Sequence, residues 1–395
     1  MPAKMKNTRS FRLAIAAGLA VLTAVAAFAF FRAADDFYST TKAELPGDPG
    51  SIIRAEPIHA FAGAKAWRVL YRSVGLKNEP IAVSGIVVAP EANAPAGGYP
   101  VVAWAHPTTG IARRCAPSLG SDVLRTIPQL RLMVGLGFAV AATDYAGLGT
   151  VGPHPYLVGI SAGRTILDSV RAARALAAAS EKFAVWGHSQ GGHAALWAGD
   201  LAAGYAPDLK LVGVAAAAPA IELAALLKDD GSTSAGQVFT AFALLSWSKI
   251  YDAPLDAIIS ADDLPYAGLV GKECLTSRLD LFIVSMAMRF ITAPFLKSDP
   301  IKTEPWGKFI VRNTPVRQPP NAPLLLAQGR DDPLITPAIT QDFAKALCQN
   351  GGVVQILEMK AGHLSIAELS ASSVIDWIVD RFADKPAPTT CDSKK

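Results

Sequence analysis

Residues 187–191 read Gly-His-Ser-Gln-Gly, a serine with a glycine two positions away on either side. A serine hydroxyl is a weak nucleophile at neutral pH and becomes a strong one only when a base, itself held by a third group, takes its proton. Small residues on both sides suit a tight turn from strand into helix that leaves the hydroxyl of Ser189 exposed. The backbone N–H of Gln190 would then stand at a helix start, where unpaired donors and the helix dipole favour a developing oxyanion. An ordinary glycine-rich connection is the alternative. It is outweighed because an apolar run at residues 183–186 precedes the motif and an Ala-rich helical pattern up to Leu201 follows it.

A base and an acid stand in loops after two later apolar runs. Gly362-His363 follows residues 353–357, and Gly329-Arg330-Asp331-Asp332-Pro333 follows residues 324–328. The order Ser, Asp, His is that of the α/β-hydrolase fold. In that fold the acid commonly lies three residues after the glycine closing its strand, which selects Asp332 and leaves Asp331 as a solvated or turn-capping carboxylate. Asp332 would fix the tautomer of His363 and stabilise its imidazolium. The second oxyanion donor is expected in the loop after residues 101–105, His106-Pro107-Thr108-Thr109-Gly110, with Thr109 as the candidate. His59 reads as structural, His106 and His188 as loop scaffolding, His193 as packing or a hydrogen bond on the helix after the motif, and His154 as part of a Pro-rich loop. None has metal-ligand spacing, no CxxC motif is present, and a serine mechanism needs neither metal nor organic cofactor.

These residues must be held by a sheet. Residues 67–73 and 81–89 are short β-rich runs that could pair antiparallel, and residues 101–105 and 138–143 are continuous apolar runs of the kind buried in parallel sheets. Residues 165–179 carry a helical apolar stripe, and residues 211–218 are another buried strand. The alternation predicts an α/β class, a mostly parallel doubly wound sheet in an α/β-hydrolase fold. Its core comes in two parts, residues 61–220 and 319–395. Residues 221–318 break the alternation with apolar helices at 238–250 and 279–291, which predicts an inserted helical cap. Phe239, Phe242, Leu244, Leu245 and Trp247 from the first of these, and Phe282, Met286, Met288 and Phe290 from the second, could line an acyl tunnel or face a lipid interface.

Of the 395 residues, 51% are hydrophobic and 18% charged, which argues against disorder. Lys4, Lys6, Arg9 and Arg12 account for the formal net charge of +4, so the body is near neutral and unsuited to nucleic acid. Those four precede an apolar run at residues 13–31 with Ala27-Phe28-Ala29 as a cleavage site. Residues 1–31 are therefore expected to be an export signal, with an uncleaved membrane anchor as the alternative, and residues 32–60 a linker and extension. An exported chain with four cysteines, Cys115, Cys274, Cys348 and Cys391, favours pairing, with three connectivities open. A bridge from Cys348 to Cys391 would pin the C-terminal tail.

The residues resemble the secretory lipase family, α/β hydrolases related to fungal lipase A and its bacterial relatives, from about residue 60 to the C-terminus. The likeness rests on Trp104-Ala105-His106 with Cys115-Ala116-Pro117-Ser118, on Asp144-Tyr145-Ala146-Gly147-Leu148-Gly149 through His154-Pro155-Tyr156, and on Gly187 to Gly192. The resemblance implies a Ser189, Asp332, His363 triad, an oxyanion hole from Thr109 and Gln190, a helical cap over an acyl pocket, and bridges Cys115 to Cys274 and Cys348 to Cys391. Pro107 departs from the glycine frequent after this histidine in bacterial relatives. The expected activity is exported serine carboxylester hydrolysis on a small or lipid ester. A serine peptidase or acyltransferase on the same scaffold is the second reading, and a catalytically silent binding protein the third.

Overall fold

The computed structural model describes residues 37–229, 234–291 and 295–391. Two compact units divide the chain, residues 1–40 and 41–395, and of the first only residues 37–40 are described. The expected signal or anchor at residues 1–31 lies outside the described residues. Among the described residues no helix is long and apolar enough to cross a membrane.

Strand β1 (Ile52–Ile58) corrects the reading of residues 32–60 as linker and extension. Its sequence carries Arg54, Glu56 and Pro57, which hides a strand from apolar counting, yet an edge strand tolerates all three. Glu56 faces Arg68 across the pair and forms an ion pair with it. Strands β2 (Ala64–Val74) and β3 (Pro80–Pro90) follow as the expected antiparallel pair, with Trp67 opposite Val87.

Six further strands complete the sheet: β4 (Tyr99–Ala105), β5 (Ala139–Thr143), β6 (Ala179–His188), β7 (Lys210–Ala217), β8 (Leu324–Gly329) and β9 (Val354–Met359). The order is β1-β2-β3-β5-β4-β6-β7-β8-β9, antiparallel up to β5 and parallel beyond it. All of β5 and β8 is buried, as their largely apolar sequences suit in a sheet covered on both faces, and their polar side chains Thr143 and Gln328 are hydrogen-bonded to Tyr71 and Thr340. This is the α/β-hydrolase architecture, a mostly parallel sheet flanked by helices.

Helix α1 (Leu130–Gly135) leads into β5, and α2 (Gly159–Ala177) begins six residues before the predicted helical stripe. The added turn holds Gly159 and Gly163, which bring α2 against the helix after the serine, α3 (Gln190–Tyr205). A Cβ at Gly159 would stand 1.9 Å from the Trp197 ring, so only glycine permits that approach. The segment 221–318 carries α4 (Leu223–Asp229), α5 (Ser234–Tyr251), α6 (Leu264–Val270), α7 (Arg278–Met288) and α8 (Trp306–Asn313). Among its described residues the only sheet-like pairings are isolated bridges, Ile259 with Leu296 and Cys274 with Gly110. Helices α9 (Pro337–Gln349) and α10 (Ile366–Phe382) flank β9 in sequence. The cysteines pair as Cys115–Cys274 and Cys348–Cys391, with Cα atoms 5.3 Å apart in each bridge, which closes the question of connectivity.

Candidate active site

Ser189 sits between β6 and α3 at φ +56° and ψ −115°, outside the regions that side chains ordinarily occupy. The surrounding backbone imposes this conformation. Ser189 N–H donates to Ala217 O at 2.9 Å, and Ser189 O accepts from His193 N–H at 3.0 Å. The glycines are required by close approach, since a Cβ on Gly191 would lie 1.9 Å from Ala105 O and one on Gly187 2.0 Å from Gly191 O. Strand, turn and helix thus meet with no room for a side chain on either glycine.

Three loops bring the expected trio together. His363 Nδ1 lies 2.8 Å from Asp332 Oδ2, and His363 Nε2 lies 2.9 Å from Ser189 Oγ. An ionised carboxylate can only accept, so Nδ1 carries the proton, Nε2 is the acceptor, and Ser189 Oγ–H donates to it. The other carboxylate oxygen, Asp332 Oδ1, accepts from Leu334 N–H and Ile335 N–H, both at 2.9 Å. Those two donors fix the carboxylate plane and were legible in principle, because Asp commonly caps backbone N–H groups two residues on. Asp331 points elsewhere: its N–H donates to Ala361 O at 3.0 Å and its side chain is exposed.

His188 extends the brace. Its Nε2–H donates to His363 O at 2.8 Å, so the residue before the nucleophile holds the backbone of the base. Burial pushes its pKa down to about 4, which keeps the ring neutral beside His363. His106 also acts as loop scaffolding, with Nδ1 against Pro107 O at 2.7 Å and burial lowering its pKa. His193 donates Nε2–H to Asn313 O at 2.8 Å, tying α3 to the end of α8.

His154 has a role that its Pro-rich surroundings concealed. Its Nδ1 is 2.8 Å from Ala146 O and its Nε2 3.1 Å from Gln190 Nε2. A carbonyl can only accept, so Nδ1 carries the proton, and burial holds the pKa near 4 and the ring neutral. Gln190 must therefore present its N–H₂ to Nε2. Two cap residues hold the same loop: Ser246 Oγ–H donates to His154 O at 2.6 Å, and Trp247 Nε1–H to Tyr156 O at 2.8 Å.

At the first position of α3, Gln190 N–H has no carbonyl within the helix to bond. Thr109 lies in the loop after β4, apart from the residues lining the cavity described below. Its carbonyl accepts from Leu275 N–H at 2.8 Å, and its hydroxyl is buried without a partner. Next to it Gly110 bridges to Cys274, and Arg114 pairs with Glu273 and Asp280. This loop is thus fastened to the helical segment by a disulfide, a bridge and two ion pairs. A buried carboxylate, Asp144, fastens its far end by accepting from Ser118 N–H at 2.9 Å and from the hydroxyls of Ser84 and Ser118. Burial raises the pKa of Asp144.

Ser189 and His363 open into a cavity under α4 and α5. Leu223, Leu226, Leu227, Phe239, Ala243 and Trp247 give it an apolar wall, with Leu334 and Ile335 opposite from the acid loop. Of the nine cap residues named from the sequence, Phe239 and Trp247 line the cavity. Phe242, Leu244, Leu245 and Met288 are buried in the core, while Phe282 and Phe290 are 61% and 56% exposed. Among the described residues no cluster of His, Cys, Asp and Glu could hold a metal ion.

The family model described as secretory lipase matches residues 122–390. A Mycobacterium tuberculosis protein named as a probable inactive lipase is 26% identical over 382 residues, 89% of this chain and 82% of its own. Candida albicans Lipase 10 is 26% identical over 394 residues, 90% of this chain and 82% of its own. Among solved structures, Candida antarctica lipase A in its closed state superposes with a TM-score of 0.74 at 19% identity, covering 90% of this chain and 87% of that one. That last likeness concerns the fold.

Proposed function

Because the chain belongs to the secretory lipase family and is a lipase-like hydrolase, we propose that it hydrolyses carboxylic esters by a serine mechanism centred on Ser189, His363 and Asp332. Ser189 Oγ attacks the ester carbonyl while His363 Nε2 takes its proton, and Asp332 stabilises the imidazolium that forms. The oxyanion is received by the backbone N–H of Gln190 and of Thr109. His363 then protonates the leaving alcohol, and water, activated by the same nitrogen, releases the acyl group from Ser189. The apolar cavity takes the acyl chain, and no step calls for a metal or cofactor.

The observation that carries this reading is the unbroken relay from Asp332 through His363 to Ser189, opening onto an apolar cavity. The same relay weighs against a silent scaffold, which the name of one relative raises. Export is part of the proposal, supported by the family and by two disulfides. So is contact with a lipid interface: α7 exposes Leu279 and Phe282 beside Arg278, with Phe290 and Arg289 just past its end. Hydrolysis of p-nitrophenyl esters from acetate to palmitate, below and above their solubility limits, tests the whole. Ser189→Ala should abolish turnover, and a phosphonate ester should label Ser189. Equal turnover by Ser189→Ala would end the mechanism, a preference for amides would favour the peptidase reading, and no rise in rate at the interface would remove the lipid contact.

A further inference from the structure

Residues 106–109, the stretch that carries Thr109, form neither helix nor strand. Without a ladder of backbone bonds, such a stretch is only as steady as its separate ties. Tyr145 donates its hydroxyl to His106 O at 3.1 Å, His106 Nδ1 lies 2.7 Å from Pro107 O, and Leu275 N–H donates to Thr109 O at 2.8 Å. Thr108 differs. Among the described residues its backbone makes no hydrogen bond, and its side chain supplies the tie, with Oγ1 and the Tyr156 hydroxyl 2.9 Å apart.

Tyr156 is itself held from the cap. Its N–H donates to Ser246 Oγ at 2.9 Å, its carbonyl accepts from Trp247 Nε1–H at 2.8 Å, and its ring meets Phe242 edge-on with centroids 6.0 Å apart. All three partners stand on α5. Tyr156 is also one of the residues that line the cavity beside Ser189. A single side chain thus joins the cap helix, the cavity wall and the residue next to Thr109.

We propose that Tyr156 is a positioning residue for ester hydrolysis, its hydroxyl fixing Thr108 so that the backbone N–H of Thr109 stays aimed at the developing oxyanion. That N–H shares one rigid peptide plane with the carbonyl of Thr108. The carbonyl is unbonded, so the plane is held only from its flanks, by Thr109 O on one side and the Thr108 hydroxyl on the other. An oxyanion donor works because its direction is set before charge develops, and a misplacement of about 1 Å can cost roughly 10²-fold in rate. The inference rests on the proposed hydrolysis at Ser189 with Thr109 as a donor, and adds to it the residue that sets this donor.

The test measures kcat and KM on a soluble ester for the wild-type protein, Tyr156→Phe, Thr108→Val, the two combined, and Thr108→Ser, with the folded fraction from circular dichroism. Tyr156→Phe removes one oxygen and keeps the ring, so kcat should fall about tenfold while KM moves less than about twofold. Thr108→Val should match it. The combined variant should be no worse than either alone, because both changes break the same bond. Thr108→Ser keeps a hydroxyl and should hold kcat within about twofold of wild type. A Tyr156→Phe kcat within about twofold of wild type, or a loss carried by KM, overturns the role. So do losses that multiply in the combined variant. Should Tyr156→Phe fail to fold, Thr108→Val against Thr108→Ser decides alone, and equal kcat for those two overturns the role. Ester turnover that Ser189→Ala leaves intact would instead strike the hydrolase reading, and this role with it.

Discussion

The two disulfides close loops of different length but similar entropic value, and their removal should separate stability from catalysis. With separations of 159 and 43 residues, loop entropy gives about 5 kcal/mol for Cys115–Cys274 and about 4 kcal/mol for Cys348–Cys391. For a chain of this size either loss should lower the Tm by about 5–7 °C. Their surroundings differ. Cys391 lies in the C-terminal tail, where Thr390 N–H donates to Val354 O at 2.8 Å, away from the cavity. Cys115 and Cys274 clamp the loop that carries Thr109 to the segment that carries Leu275.

Cys348→Ala with Cys391→Ala should therefore cost stability and leave kcat per folded molecule within about twofold. Cys115→Ala with Cys274→Ala should cost similar stability and lower kcat at least about tenfold. The ceiling is the roughly 10² to 10³ that loss of one oxyanion donor costs. KM should change little, because α4, α5 and the acid loop, which line the cavity, do not depend on that bond. The assay is steady-state hydrolysis of a soluble ester well below the lower Tm, with the folded fraction measured by circular dichroism. Equal effects of the two pairs on kcat, or full kcat without Cys115–Cys274, would refute the reasoning. The bond from Leu275 N–H to Thr109 O and the Arg114 ion pairs would then suffice to hold the loop.

Asp332→Asn should lower kcat by about 10⁴, because an amide N–H₂ facing His363 Nδ1 enforces the wrong tautomer, whereas Asp331→Asn should change it less than about threefold. Steady-state kinetics on one ester ranks them, and the reverse order would reassign the acid. Acid should destabilise the fold. His154, His188 and His193 are held neutral with pKa values of about 4, below the unfolded value. Their contribution is present above about pH 6.5 and is lost as the pH falls towards 4. At pH 5 the linkage removes about 2 kcal/mol for each. Asp144 and Asp168, whose pKa values burial raises, act in the opposite sense and reduce the net loss. Thermal melts at pH 7 and pH 5 should show a lower Tm at pH 5 and a shallower dependence for His193→Gln. An unchanged Tm would mean that these rings take up protons as readily in the folded protein as in the unfolded chain.

The trio at the site was legible because its chemistry restricts both residue type and order. A serine in a tight turn after an apolar run, then a carboxylate, then a histidine, each after a later apolar run, leave little freedom once the runs are strands. Even the choice between Asp331 and Asp332 follows from a three-residue spacing, and the fold shows why: the chain bonds to Ala361 O at residue 331 and turns the next side chain inward. Strand β1 escaped because its stability comes from pairing with β2 and from the cross-strand pair Glu56–Arg68, neither of which is a property of seven residues. Helix α2 was cut short for a related reason, since Gly159 and Gly163 disfavour a helix alone and favour it only against Trp197.

The cap marks a deeper boundary. Helix α5 is apolar around most of its circumference, so periodicity states that Phe239 and Trp247 share a face with Thr240 and Ala243, but not that this face meets a cavity while Phe242 meets the core. The role of His154 depends on Ala146 and Gln190, 8 and 36 residues away in the chain. No local pattern marks such a link. That link takes up the amide nitrogen of Gln190, whose backbone N–H stands at the start of α3. Reaction type follows from which residues are present and in what order. Which side chains line the cavity is decided instead by contacts across the whole chain.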